Sequence, residues 1–198
     1  MKPLAQSDLL SLEEYAKQRA DFRTHVLAHK RDRKVSVGDH VTLLFEDRLT
    51  VQYQVQEMLR TERIFEPEGI AEELAAYNPL IPDGANLKCT MLIEYDDVEA
   101  RKRELPRLRN IEHNVQLVVE GHAPVMGIAD EDLPRSNDEK TSAVHFLRFE
   151  LESGMVADFR TGRPVTIRIG HPNYPAEALL TGVQQQALAA DFGPAAPG

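Results

Sequence analysis

The sequence has no tryptophan and a single cysteine, Cys89. One cysteine excludes an internal disulfide, and it also excludes a zinc ribbon or iron–sulfur cluster held by this chain alone. Aromatic residues are scarce at 6%, so the core has to be built from Leu, Val and Ile. No apolar run approaches the roughly 20 residues of a membrane span, and the opening MKPLAQSDLLSLEE lacks the apolar stretch of a signal peptide. Positive charge is short as well. The formal net charge is −9, which argues against nucleic-acid binding, because neutralising phosphates needs a surplus of Lys and Arg. G-x-G-x-x-G, G-x-x-x-x-G-K-[ST], G-x-S-x-G and C-x-x-C are all absent. These absences describe a cytoplasmic protein with no membrane segment and no nucleotide-binding or hydrolase signature.

What is present suffices for a folded domain. Of 198 residues, 42% are hydrophobic and 28% charged, which fits one domain with a real core. Ser11-Leu-Glu-Glu14 is a capping box, opening a long N-terminal helix expected to reach about Arg33. Its second half is basic, with Arg19, Arg23, His25, His29, Lys30, Arg31, Arg33 and Lys34, which complements the helix dipole or offers a dock for an acidic partner. Val37-Gly38-Asp39 is a turn. Val41 to Phe45 is a strand, and Val51, Val55, Met58 and Leu59 mark one face of a helix that Thr50 could cap. Pro67 begins a further helix. Leu87 to Tyr95 alternates as a half-buried strand, placing Cys89 on the core face as inert filling. Asp96 or Asp97 caps a charged helix from Val98 to about Leu108, in which Pro106 predicts a kink or an early stop. Val115 to Glu120 and Pro124 to Ile128 form a hairpin around Gly121-His122. A polar loop with Asp130, Glu131, Asp132, Asp138 and Glu139 follows. Val144 to Leu151 and Val165 to Ile169 are strands, and Ala176 to Leu180 is a weaker one. Ser153 caps a short helix, and Thr181-Gly-Val-Gln184 is a second capping box. This pattern predicts one α+β domain over 1–192, a mainly antiparallel sheet with helices packed on it, and a flexible tail over 193–198.

The sharpest polar constellation is Glu46, Arg48, Gln56, Glu57, Arg60 and Glu62. Helical spacing lets Glu57 and Gln56 each meet Arg60. Such a set is either a functional pocket with displaced pKa values or an ion-pair network tying helix to strand. His25 and His29 share a helix face, as two metal ligands would, but no companion motif is visible. His113, His122, His145 and His171 lie at strand ends or in turns, where one sheet could bring them together.

At VTLLFEDRLTVQYQVQEMLRTERIFEPEGIAEELAAYNPLIPDG, KTSAVHFLRFEL and VTIRIGHPNY the chain resembles a bacterial family known as the domain of unknown function numbered 3501. The likeness covers nearly the whole chain. It implies no activity, cofactor or catalytic residue. It does imply a neighbourhood of rubrerythrin-like proteins and iron–sulfur proteins of the heterodisulfide-reductase type, and so a redox or oxidative-stress setting. His145 and His171 lie inside the matching stretches. The expected function is therefore a cytoplasmic accessory protein that binds a redox partner. Two alternatives stand beside it: a small enzyme or ligand-binding module at the Glu46/Arg48/Glu57/Arg60 corner, and a metalloprotein using strand-end histidines, with His145 and His171 as candidates.

Overall fold

A computed structural model of the chain describes residues 1–131, 135–137 and 139–193. In chain order the elements are α1 (Leu12–Arg31), β1 (Lys34–Val37), β2 (Val41–Phe45), α2 (Arg48–Glu62), α3 (Pro67–Tyr77), β3 (Asn86–Ile93), α4 (Val98–Arg107), β4 (Val115–Val119), β5 (Val125–Met126), β6 (Ile128–Ala129), β7 (Val144–Glu150), α5 (Ser153–Arg160), β8 (Val165–His171), β9 (Tyr174–Leu179) and α6 (Gly182–Ala189). The fold is α+β, with the long N-terminal helix in place. Among the described residues, no helix is long and apolar enough to cross a membrane.

The strands form two antiparallel sheets, ordered β1-β2-β3-β7-β6 and β5-β4-β8-β9. The chain passes from one sheet to the other at Gly127. Its N–H donates to Val115 O at 2.8 Å, and a Cβ there would lie 3.1 Å from the Phe149 ring. At the opposite seam, the Tyr174 hydroxyl donates to Val37 O at 2.9 Å and accepts from the His40 and Val41 N–H groups at 2.8 and 3.1 Å. Gly38 lets the β1–β2 turn come this close. It has φ 68°, and a Cβ would sit 2.7 Å from the same hydroxyl oxygen. Between the sheets lies the larger core, including Leu43, Phe45, Leu87, Met91, Leu117, Phe149 and Ile167. Each such side chain contributes about 1.5–3 kcal/mol by leaving water. A smaller cluster of Leu4, Val51, Val55, Leu59, Leu74 and Ile81 joins the helices that cover the outer side of the first sheet.

Both capping boxes, at Ser11 and Thr181, form as the sequence predicts. Several boundaries differ. α1 ends at Arg31 rather than Arg33, because Arg33 turns inward, and Lys34–Val37 is a strand whose buried residues are Val35 and Val37. The cap of α2 is Asp47: its carboxylate accepts from Thr50 N–H, while Thr50 Oγ1 accepts from Asp47 N–H, both at 2.9 Å. Thr50 is thus the third helical residue, not the cap. Glu152, not Ser153, caps α5, without a side-chain bond. The outer face of β3 is partly covered too: Thr90 there is buried, its hydroxyl donating to Glu46 just before α2, while Lys88 is half-buried. Of the segment predicted to be loose, 194–198 lie outside the described residues, as do Asp132 and Asp138, whereas Gly193 is anchored by its N–H to Gly84 O at 2.8 Å.

The Tyr174 hydroxyl serves three backbone groups at one seam. Tyr174→Phe is expected to cost roughly 1–3 kcal/mol, the penalty for stranding buried polar groups, as measured by urea denaturation.

Candidate functional site

The six residues of the predicted polar constellation separate in the structure. Glu46, 2% exposed, accepts from the Thr50 and Thr90 hydroxyls at 2.6 and 2.9 Å. Arg48 pairs with Asp8 at 2.7 Å. Gln56 grips the backbone of Leu10, accepting its N–H at 2.6 Å and donating to its carbonyl at 3.3 Å. Glu57 accepts from the Tyr15 hydroxyl at 2.6 Å and from Arg19 twice at 2.8 Å. Arg60 and Glu62 are exposed. These bonds run from α2 to α1 and to the segment before α1, and from Glu46, just before α2, to β3, so they tie layers together around α2. Arg19 holds the Glu57 carboxyl at about 2, well below the ordinary range, with the Tyr15 hydroxyl assisting against partial burial.

A second polar group lies behind this one and was not visible in the sequence. The Arg33 guanidinium, 1% exposed, donates to Phe45 O, Glu46 O and Ala187 O at 3.1, 3.2 and 3.0 Å, and to the Asp191 carboxylate. Asp47 lies 3.5 Å away and also meets His29 at 2.5 Å. His25 is exposed and takes no part. Burial pushes the Asp191 carboxyl up to about 6 despite the opposing charge of Arg33. Its Oδ1 is buried with no hydrogen-bond partner among the described residues. Arg33 hid in the basic run at the end of α1; only the short Val35/Val37 alternation signalled that the helix had already ended.

The strand-end histidines go to different places. His122 meets Asp158 at 2.8 Å. His171 accepts from Asn173 N–H at 3.2 Å, and its other nitrogen faces Arg109 O at 3.0 Å, so backbone groups occupy both sides of the ring. His145 is different. It is fully buried, with Nδ1 at 2.6 Å from Asp130 Oδ2 and Nε2 at 2.8 Å from Thr141 Oγ1. Glu112, Asp130 and His145 have donor atoms within 4.8 Å of one another; they are the group of this kind among the described residues that could hold a cation. A histidine at a core-facing position of β7, between apolar Leu147 and Phe149 and the sheet end, was the sequence signal for it. Its acidic partners lie too far along the chain to be read from spacing.

On the other face of β7 is a cavity of about 410 Å³. Tyr77 and Leu80 from the end of α3 and its continuation, with Ile128 and Phe146, form apolar walls, and Lys88, Arg135, Arg148 and Glu131 supply the charge. Arg148 forks onto Glu131 with two bonds of 2.7 Å, which holds the Glu131 carboxyl below its usual range. Arg135 lies over the Phe146 ring, 4.6 Å from its centre. Lys88 donates to Pro79 O at 2.7 Å, and burial pulls its ammonium below the usual lysine value. Cys89, 2% exposed, also borders the cavity; burial pushes its thiol well up, the opposite of what a nucleophile needs.

The family model DUF3501, described as a protein of unknown function, matches residues 3–192. No curated protein matches the chain. A crystal structure at 1.90 Å resolution, described as a novel protein of unknown function from Burkholderia pseudomallei K96243, is 49% identical in sequence and superposes with a TM-score of 0.92; the match covers 97% of this chain and 100% of that one.

The Glu57 anchor has a definite pH signature. Its folded pKa of about 2 lies below the ordinary 4.5, so the stability it adds is complete above pH 4.5 and disappears as pH falls through about 2. Glu57→Gln is expected to cost about 1–2 kcal/mol at pH 7, reduced from the full shift because solvent reaches the pair. Urea denaturation of both proteins should show that gap closing toward pH 2.

Proposed function

Because the chain belongs to the DUF3501 family, whose description names no activity, we propose a function from the site alone: a cytoplasmic binding module for a small organic anion with an apolar body. The observation that carries this is the cavity between α3 and the outer faces of β3 and β7. At about 410 Å³ it falls within the range of small-molecule sites, and its apolar walls with a few convergent polar groups are the usual composition of one. The sign of the ligand follows from the rim. Lys88, Arg135 and Arg148 border it; Arg148 is already paired with Glu131 and Glu150 and Arg135 faces Asp130 at 3.4 Å, which leaves Lys88 as the cation for a ligand. Lys88 is partly desolvated and is held by a neutral carbonyl, so an incoming carboxylate or phosphate would restore a full counter-charge. The apolar part of the ligand would lie against Phe146 and Tyr77.

The test is a thermal-shift and calorimetric screen of the full chain against aromatic carboxylates, fatty acids and nucleoside phosphates. A true ligand at a hundred times its Kd adds about 2.7 kcal/mol to the folded state. Lys88→Ala should weaken that ligand about tenfold, while Arg60→Ala, on exposed α2 surface, should leave it unchanged. A panel with no stabilising member, or a ligand indifferent to Lys88→Ala, would overturn the assignment.

A second reading concerns the setting. The family resemblance supports a redox or oxidative-stress role beside a rubrerythrin-like or iron–sulfur protein, and α1 offers a surface for such a partner. Arg23 and Arg31 on α1 and Lys34 at the start of β1 are exposed, a charge arrangement suited to an acidic partner. Affinity capture from native cells is expected to recover a redox protein with the wild-type chain and to lose it with the Arg23→Glu/Arg31→Glu/Lys34→Glu triple variant. Capture of no redox protein would remove this reading and leave the binding-module reading untouched.

A further inference from the structure

The buried group behind the cavity carries a separate assignment. Glu112 comes from the single helical turn just before β4, Asp130 follows β6, and His145 stands on the inner face of β7. Glu112 is 2% exposed and His145 is fully buried. Asp130 is held in the left-handed region at φ 47°. Its N–H donates to Phe146 O and its Oδ1 accepts from Phe146 N–H, both at 2.9 Å. The carboxylate is thereby aimed at the His145 ring, and Nδ1–H donates to Oδ2 at 2.6 Å. That bond fixes Nε2 as the nitrogen facing the rest of the cluster.

Around Nε2 the acceptors outnumber the hydrogens. Thr141 Oγ1 lies at 2.8 Å, Ser142 O at 3.0 Å and Glu112 Oε2 at 3.8 Å. Ser142 O is a carbonyl and can only accept. Glu112 already accepts from the Ser136 and Thr141 hydroxyls. Positive charge at this point, a proton or a metal ion, reconciles a ring nitrogen, a carbonyl and a carboxylate turned toward one another.

The distances admit a metal ion. Ligands 2.1 Å from a centre are about 3.0 Å apart along an octahedral edge and about 3.4 Å apart along a tetrahedral one. The separations from Nε2 to Thr141 Oγ1 and Ser142 O, 2.8 and 3.0 Å, and that from Thr141 Oγ1 to Glu112 Oε2, 3.3 Å, match such edges as well as hydrogen bonds; Nε2 and Glu112 Oε2, 3.8 Å apart, would meet the ion at a wider angle. The mixture of one imidazole, carboxylate, hydroxyl and carbonyl, without sulfur, suits Mn²⁺, Fe²⁺ or Zn²⁺ rather than a soft ion. The carboxylate on the other ring nitrogen is the usual outer partner of a metal-bound histidine. We propose that His145 Nε2 and Glu112 bind one divalent first-row metal ion, with Thr141 Oγ1 and Ser142 O completing the protein shell and Asp130 orienting the imidazole. Burial makes it a structural ion: it pins the turn before β4 to β7 and so joins the two sheets.

The experiment uses the full, untagged chain. Protein purified anaerobically without chelator is analysed by inductively coupled plasma mass spectrometry, and about one first-row ion per chain is expected. A second sample is unfolded with chelator, desalted, refolded and titrated with Co²⁺, for which a visible absorption band and a rise in Tm are expected. Glu112→Gln and His145→Gln should each weaken the Co²⁺ complex about tenfold or more, while Glu131→Gln on the cavity rim should not. If the cluster variants fail to fold, the wild-type titration decides alone. Purified protein with well under one ion per chain and a Co²⁺ titration with no band and no Tm shift would overturn the site. So would binding that survives both cluster substitutions, since the ion would then lie elsewhere.

Discussion

The guanidinium of Arg33 gathers groups that the sequence keeps far apart. It bonds the end of β2 through Phe45 O and Glu46 O, α6 through Ala187 O, and the segment after α6 through Asp191, with the cap of α2 beside it at Asp47. A buried cation is costly to desolvate, and it is tolerated only when its hydrogens are met and its charge is opposed. Here both conditions hold, and meeting them fixes the relative placement of β2, α2 and α6. Removing either member of such a pair typically costs about 3–5 kcal/mol, because the remaining charge stays buried alone. The pair with Asp191 is an uneasy one: its raised carboxyl means that the attraction of Arg33 does not fully offset burial.

From that frame the two functional proposals arise on opposite faces of one strand. Alternation along β7 sends His145, Leu147 and Phe149 inward and Phe146 and Arg148 outward. The inner face meets Glu112 and Asp130 in a largely buried setting, and the outer face meets Lys88 and the end of α3 in an open one. Asp130 and Glu131 are neighbours in sequence and split the same way, one toward the imidazole and one toward Arg148. The two proposed sites also touch, because Arg135 on the cavity rim lies 3.4 Å from Asp130.

How much of this could be read from sequence depended on how local its cause was. Ser11 with Glu14 and Thr181 with Gln184 were legible because a capping box lies within four residues. The alternation of Leu87, Cys89, Met91 and Ile93 gave β3 and the burial of the thiol, because period-2 burial is a property of the strand itself. The partners of the charged residues were not legible. Glu57 and Arg60 have helical spacing for a pair, yet Glu57 is taken by Arg19 from another helix. Arg33 looked like one more cation at the end of a basic helix, and its partner Asp191 lies near the other end of the chain. His145 could be placed on a core face, but neither Glu112 nor Asp130 has a spacing that announces it. Local hydrogen bonding writes itself into short motifs; tertiary charge pairing does not.

The order of strands has a kinetic consequence. β3 is hydrogen-bonded to β7, and α4, β4, β5 and β6 intervene along the chain; β4 is hydrogen-bonded to β8, which lies beyond β7. The two sheets are therefore interleaved in sequence, and each central pair closes across a strand that belongs to the other sheet. The β1–β2 and β8–β9 pairs close over short loops, with little chain entropy to overcome. The β3–β7 and β4–β8 pairs span long stretches of chain, so contact-order reasoning makes them the slow steps of folding. Until they close, the inner edges of both hairpins stand open to pairing with another molecule, which places the vulnerability of this protein to aggregation on its folding route rather than on its finished surface.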